Sequence, residues 1–385
     1  MYIEIGFNNI LFIARLIKEN KLDRTFRTII TGTGSYIPDR IVPNAEFLNR
    51  SFLGKDGTPF EKSNEETIQK FSEITGIEER RFADDSVLAS DMGARAAEEA
   101  LTMSGLDREN LDYIIVAHNF GDIRADNPRV DMVPSLASKV KHHLGIKNPY
   151  CVAYDLPFGC PGWLQGVIQA SYYIGSGDAK SALVIGAETL SRICDPHDRD
   201  SMIYADGAGA TVLEAKESDH PEGVLAHAAR TDTETQAYYL EMERSFKPDS
   251  DDTLYLKMDG RKLYQYALSN VPDLVKKSLD KAGIGLGEVD KVLIHQANEK
   301  MDRAILDRLF KLYNNGAPPE GVMPMTIHKL GNTSVATVPT LLDLILRNKL
   351  DGHRIRSGDT LVFASVGAGM NINSVVYRVP ESDNG

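Results

Sequence analysis

Short unbroken apolar runs punctuate the chain: Tyr113-Ile114-Ile115-Val116, Ala182-Leu183-Val184-Ile185, Val292-Leu293-Ile294 and Leu361-Val362-Phe363. Such runs mark strands covered on both faces. Between them, residues 90–103, 163–174, 264–282 and 301–313 carry apolar positions at helical spacing, the first of these Ala-rich with Ser90 as its expected cap. Strands alternating with helices predict α/β layering. Residues 111–116 are echoed by 289–294, and 182–185 by 360–363, both at an offset of 178. A duplicated unit explains this, and so does chance likeness between generic buried strands. The stretch 231–252, rich in Thr, Glu, Asp and Ser, predicts a long loop between the halves. The division expected is an extension at 1–27, a first half at 28–216 and a second at 217–380, followed by a polar tail.

The run at 5–17 is interrupted by Asn8, Asn9 and Arg15. It is too short and polar to span a bilayer and lacks the flanks of a secretory signal, so an amphipathic helix is expected. Across 385 residues, 42% hydrophobic and 25% charged content is that of a soluble globular protein. The net charge of −12 argues against a general nucleic-acid binder. Cys151, Cys160 and Cys194 form neither a CxxC nor a metal-ligand spacing, so no disulfide framework and no metal site is expected, and a cytoplasmic location fits.

Candidate chemistry centres on Cys160. In Asp155-Leu156-Pro157-Phe158-Gly159-Cys160-Pro161-Gly162-Trp163, a turn runs into the cysteine and Pro161 then opens an apolar helix. Proline suits the first helical position, which places Cys160 beside a helix N-terminus, where a thiolate is favoured. A buried structural cysteine is the competing reading. His295 ends an apolar strand in Leu293-Ile294-His295-Gln296-Ala297-Asn298, and strand ends in α/β folds are where ligands bind. Gly331-Asn332-Thr333-Ser334 reads equally as a capped helix start. Gly367-Ala368-Gly369 reads as a tight turn or as a place where a backbone N–H approaches a ligand.

Taken together, Cys160, His295, Asn332 and the Gly367-Ala368-Gly369 turn resemble the Cys-His-Asn site of the β-ketoacyl-[acyl-carrier-protein] synthase III family of the thiolase-like superfamily. Supporting matches are Gly32-Thr33-Gly34-Ser35-Tyr36-Ile37-Pro38, Thr75-Gly76-Ile77-Glu78-Glu79-Arg80, Cys194-Asp195-Pro196-His197-Asp198-Arg199 and Ala205-Asp206-Gly207-Ala208-Gly209-Ala210. The resemblance implies a five-layered αβαβα fold made of two duplicated halves. It implies acyl transfer to Cys160, then decarboxylative Claisen condensation with a malonyl carrier thioester in fatty acid or related lipid and polyketide synthesis. His295 and Asn332 would stabilise the enolate, and the N–H groups of Cys160 and Ala368 would form an oxyanion hole. Phe158, Trp163, Arg199, Gly367 and Gly369 would contact substrate or CoA. Lys300 and Arg303 would dock an acidic carrier protein. A homodimer using acyl-CoA or acyl-carrier thioesters, with no cofactor, completes the expectation.

The same residues separate relatives. A thiolase carries a second cysteine near the late glycine turn, which Val366-Gly367-Ala368-Gly369 lacks. Elongating synthases use two histidines, plant-type polyketide synthases carry a Gly-Phe-Gly-Pro-Gly loop, and hydroxymethylglutaryl-CoA synthase needs a glutamate upstream of the cysteine; residues 117–135 hold Asp122, Asp126 and Asp131 but no Glu. Departures from the family are Phe158 and Pro161 flanking Cys160, Lys70 and Ile74 where some members sandwich adenine, and a short insertion around residues 52–60. They point to a specialised paralogue, for which a longer or unusual acyl group, from CoA or from a carrier protein, stands level with acetyl-CoA as the donor. Two alternatives remain: a non-decarboxylating acyltransferase, and a non-catalytic acyl-binding subunit.

Overall fold

The computed structural model describes residues 26–381; the expected amphipathic helix at 5–17 lies outside them, as does the tail from 382. One sheet has the order β1 (Phe26–Tyr36), β9 (Asp206–Glu217), β8 (Ser181–Thr189), β4 (Tyr113–His118), β7 (Val152–Pro157). The other has the order β10 (Gly223–Thr231), β15 (Asn371–Arg378), β14 (Thr360–Gly367), β13 (Lys291–Ile294). Up to the extra edge strand β7, the orders correspond. In each, the two strands predicted from the echoed runs are neighbours and parallel, β4 with β8 and β13 with β14. Three two-stranded ribbons complete the strands: β2 (Arg40–Pro43) with β3 (Glu79–Phe82), β5 (Asp122–Arg124) with β6 (Asn127–Asp131), and β11 (Leu240–Arg244) with β12 (Leu254–Met258).

Alternation along the strands builds the layers, since successive side chains point to opposite faces. On β4, Ile114 and Val116 face the outer helices α2 (Ala89–Ser104) and α3 (Leu136–His143), against Met92, Ala96 and Val140. Ile115 faces inward, onto α4 (Gly162–Ser176). In the second sheet, Leu361 and Phe363 of β14 face inward onto α4 and α7 (Thr337–Leu346). Val362 faces outward onto α5 (Gly260–Ala282) and α6 (Glu299–Leu312). The result is αβαβα, as the resemblance implied. A further helix, α1 (Asn64–Thr75), carries a Ser63 capping box and packs Ile68 and Phe71 with Phe47, Phe52 and Ile77.

The sequence expectations are corrected in four places. Residues 231–252 are not a plain loop: they contain β11, which β12 pairs. Leu88, not Ser90, caps α2, with its N–H donated to Asp91 Oδ2 at 2.9 Å, while Ser90 bonds Asp122 from inside the helix. Pro161 occupies the cap of α4 rather than its first turn. Leu156 and Pro157 belong to strand β7, and the turn lies beyond it, closed by Gly162 N–H to Gly159 C=O at 2.7 Å.

Candidate active site

The chemistry-bearing residues gather at the C-terminal ends of the parallel strands, where helix and strand directions leave a crevice. Cys160 follows β7, His295 follows β13, Ala368 follows β14, and Asn119 follows β4. All four line one cavity of about 380 Å³, together with Phe158, Gly367, Gly369 and Asn332. The ribbon β11–β12 forms another wall through Leu240, Met242 and Leu256.

Two glycines permit the closest approach. A Cβ on Gly367 would fall 2.5 Å from the Cys160 nitrogen, and one on Gly159 would fall 2.6 Å from the Ala368 nitrogen. The loops carrying Cys160 and Ala368 are therefore pressed together backbone to backbone. Among the described residues, neither N–H donates to a backbone carbonyl. Asn371 Nδ2 donates to Ala368 C=O at 2.6 Å and fixes the orientation of that turn.

Asn332 is held by its backbone. Its N–H donates to Ile203 C=O and its C=O accepts from Ala205 N–H, both at 2.9 Å. Its side-chain carbonyl accepts from Ser334 N–H at 2.8 Å, which leaves the NH₂ end as its remaining donor. In the His-Gln-Ala-Asn motif, Gln296 and Asn298 are structural. Gln296 bonds Pro324 C=O, Thr326 N–H and Ile327 N–H, and Asn298 caps α6 through Met301 N–H. This pins His295, whose own N–H donates to Ala364 C=O at 2.9 Å.

Electrostatics change the expectation for the nucleophile. Burial pushes the Cys160 thiol up to about 11, with a hydrogen bond from Ser334 opposing and the charge of Glu188 adding to the rise. The free protein thus holds a thiol, not the resting thiolate that a helix N-terminus alone suggested. Burial pulls His295 down to about 4, opposed by the backbone of Ser334, so its imidazole is neutral at ordinary pH.

A second cavity of about 790 Å³ shares Asn332, Met258, Leu263, Ala297 and Met301 with the first. Five cations line it, Lys55, Lys62, Lys70, Arg199 and Arg261, against Glu61, Asp200 and Asp259. The segment around residues 52–60, expected as an insertion, lies here. It folds into a hairpin bridged at Leu53 and Pro59, tied to the loop before Arg199 by Leu53 N–H to His197 C=O at 2.9 Å. Phe60 lies under the Arg199 guanidinium.

Most of the expected site residues come together. Cys160, His295, Asn332, Ala368, Phe158, Gly367 and Gly369 share the first cavity, and Arg199 lines the second. Trp163 does not: it lines neither cavity and is buried in the middle layer, edge-on to Phe363 with Nε1 donating to Thr211. Lys300 and Arg303 are exposed on α6, where Arg303 is paired with Glu299 at 2.7 Å. Sequence reading gave no role to Ser334, which donates to the Cys160 sulfur, or to Asn119 and Glu188 behind it.

Comparison with known proteins agrees. The profile of 3-oxoacyl-[acyl-carrier-protein] synthase III matches residues 154–233, and that of its C-terminal part matches 279–379. A β-ketoacyl-[acyl-carrier-protein] synthase III of Cereibacter sphaeroides is 34% identical across 92% of this chain and 99% of its own length. The chain belongs to the 3-oxoacyl-[acyl-carrier-protein] synthase III family. A Vibrio vulnificus synthase III is 35% identical over 91% of this chain and 98% of its own. Among solved synthase III structures, that of Aquifex aeolicus matches with TM-score 0.73 at 30% identity, covering 91% of this chain and 99% of that one. That of Pseudomonas aeruginosa matches with TM-score 0.76 at 28% identity, covering 92% and 99%.

Proposed function

We propose that this protein is a synthase III-type acyltransferase that condenses an acyl group with a malonyl carrier thioester to give a 3-oxoacyl thioester. The observation that carries the reading is the meeting of Cys160, His295, Asn332 and two backbone N–H groups in one cavity, joined to a cation-lined channel. The acyl thioester enters through the channel, its phosphate-bearing arm near Arg199 and the lysines. Cys160 sulfur attacks the carbonyl, its proton leaves with the departing thiol, and the acyl-enzyme forms. The malonyl thioester then loses carbon dioxide. Neutral His295 and the Asn332 NH₂ donate to the enolate oxygen, and the enolate carbon attacks the acyl-Cys160 carbonyl. The N–H groups of Cys160 and Ala368 hold the tetrahedral oxyanion until the Cys160 thiolate leaves. The scheme uses CoA or carrier thioesters and no cofactor.

Lys300 and Arg303, beside the channel on α6, suit an acidic carrier protein. A homodimer is supported by β7, an edge strand paired on one side only, with Val152 48% and neighbouring Tyr150 85% exposed. A cytoplasmic setting fits the free cysteines; among the described residues no helix is long and apolar enough to cross a membrane. The test is to separate the two half-reactions. Cys160→Ala should abolish the acyl mass added by a donor thioester. His295→Ala and Asn332→Ala should keep that mass yet lose malonyl decarboxylation by about two to three orders of magnitude. Normal acyl labelling of the cysteine variant would remove the mechanism.

A further inference from the structure

A chain of polar groups runs from Cys160 into the protein. Ser334 Oγ donates to Cys160 Sγ at 3.3 Å. The same oxygen accepts from Asn119 Nδ2 at 2.9 Å. Asn119 in turn donates its backbone N–H to Glu188 Oε1 at 2.7 Å, and its Nδ2 closes on the same oxygen. Ser334 also meets the other two members of the site: its N–H holds the Asn332 carbonyl, and its backbone lies against the His295 imidazole.

We propose that Ser334 is a further catalytic residue, the hydroxyl donor that stabilises the Cys160 sulfur as its proton leaves, and that Asn119 and Glu188 are positioning residues that aim this hydroxyl. The inference rests on the reading of Cys160 as the nucleophile. A serine hydroxyl carries one hydrogen and rotates to suit its neighbours. Asn119 NH₂ can only donate, so it occupies a lone pair of Ser334 Oγ and turns the hydroxyl hydrogen toward another acceptor. The sulfur is that acceptor. The amide could be reversed by itself, but Glu188 Oε1 also accepts from the Asn119 backbone N–H, and the charged carboxylate does not donate, so Glu188 in that form selects the NH₂ end of Asn119. Direction thus passes from Glu188 to Asn119, to Ser334, to sulfur.

The backbone supports a role for the hydroxyl. Ser334 sits at φ 52, the left-handed region that glycine enters freely and serine enters at some cost. Glu188 acts on the sulfur in two senses. Through the chain it directs a donor at Sγ, and through space its charge disfavours the thiolate. Burial pushes Glu188 itself up to about 7, so both senses change in the working pH range. The groups facing it are Asn119, His118 at the end of β4 and Asp206 on β9. Those facing Cys160 are Ser334, Glu188 and Tyr204, with His295 in the same cavity.

The experiment is alkylation of the full chain by iodoacetamide across a pH series, read as mass on the Cys160 peptide, with Cys151 and Cys194 as internal references. Ser334→Gly removes the hydroxyl at a backbone position that glycine accepts, which guards against misfolding. It should slow Cys160 alkylation at about pH 8 by roughly ten- to a hundredfold, the effect of losing a hydrogen bond to a charged group. Asn119→Ala should slow it in the same direction but less, since the hydroxyl remains and is merely free to turn. Glu188→Gln keeps an acceptor for Asn119 and removes the charge, so its pH–rate curve should move to lower pH. Unchanged curves in Ser334→Gly and Asn119→Ala, or an upward move in Glu188→Gln, would overturn the proposal. A Cys160 that reacts neither with iodoacetamide nor with acyl thioesters in the unaltered protein would instead sink the nucleophile reading beneath it.

Discussion

His295 is the side chain whose behaviour the fold changes most. Exposed, it would gain a proton near its ordinary value of about 6.5. Buried, it is held down to about 4, so the neutral donor form persists through the acid range. Malonyl decarboxylation by Cys160→Ala protein, where no acyl transfer interferes, should therefore be flat from about pH 5 to 8 on this group's account. An inflection near the ordinary histidine value would show that the imidazole must be charged or is open to solvent. Glu188 carries the opposite sign. Its folded value lies above its unfolded one, so the stability linked to it is full at acid pH and is lost as pH rises through about 7. Glu188→Gln should raise the melting temperature relative to the native chain more at about pH 8 than at about pH 5, and an equal change at both would contradict the burial assigned to it. At this scale, Cys160, His295 and Asn332, which line one cavity, could be marked as candidates in the sequence because each sits in a motif of small or polar residues at a strand or helix end. It could not disclose Ser334, Asn119 and Glu188 as a group. Their hydrogen bonds join segments 69 and 215 residues apart, and no local spacing records that. Glu188, whose charge acts on the sulfur, arrives from β8, downstream of Cys160 in the chain.

Among the elements, α4 shows how a single helix serves both packing and chemistry. Its cap presents Cys160 to the cavity, while its body, from Trp163 to Ile174, fills the middle layer between the sheets. Trp163 belongs to the second task. Trp163→Ala should lower stability by about 3–5 kcal/mol, seen as a fall in the urea midpoint, with the KM for acyl donor unchanged in the folded fraction. A raised KM without lost stability would return Trp163 to the substrate. The strands of the two sheets were legible because they are covered on both faces, which leaves continuous apolar runs that no loop imitates. The strand β11 was not. Leu240-Glu241-Met242-Glu243-Arg244 alternates with charge and is half exposed, so it reads like the polar stretch around it until β12 pairs with it. That omission matters for function, because this ribbon walls the cavity holding Cys160. The insertion at residues 52–60 was legible only as an excess, since its role depends on contact with His197 and Arg199, far along the chain.

Charge is arranged unevenly over the whole molecule. The chain carries a net −12, yet the second cavity collects Lys55, Lys62, Lys70, Arg199 and Arg261 around its wall. Lys70 is paired with Glu73 and Arg199 lies beside Asp200, whereas Lys55, Lys62 and Arg261 form no ion pair among the described residues. Exposed cations left unpaired on an acidic protein concentrate an anionic ligand at one mouth and repel it elsewhere. Two of the three stand on or beside the hairpin bridged at Leu53 and Pro59, so their charge bears on the donor route proposed above. The double variant Lys55→Glu with Lys62→Glu should raise the KM for a CoA thioester about threefold or more at low salt and leave kcat unchanged, because neither residue reaches Cys160. The difference should shrink as ionic strength approaches about 1 M, where screening acts within roughly 3 Å. If KM is unchanged at low salt, the phosphates of the donor do not pass this wall, and the channel must be entered from the α6 side instead.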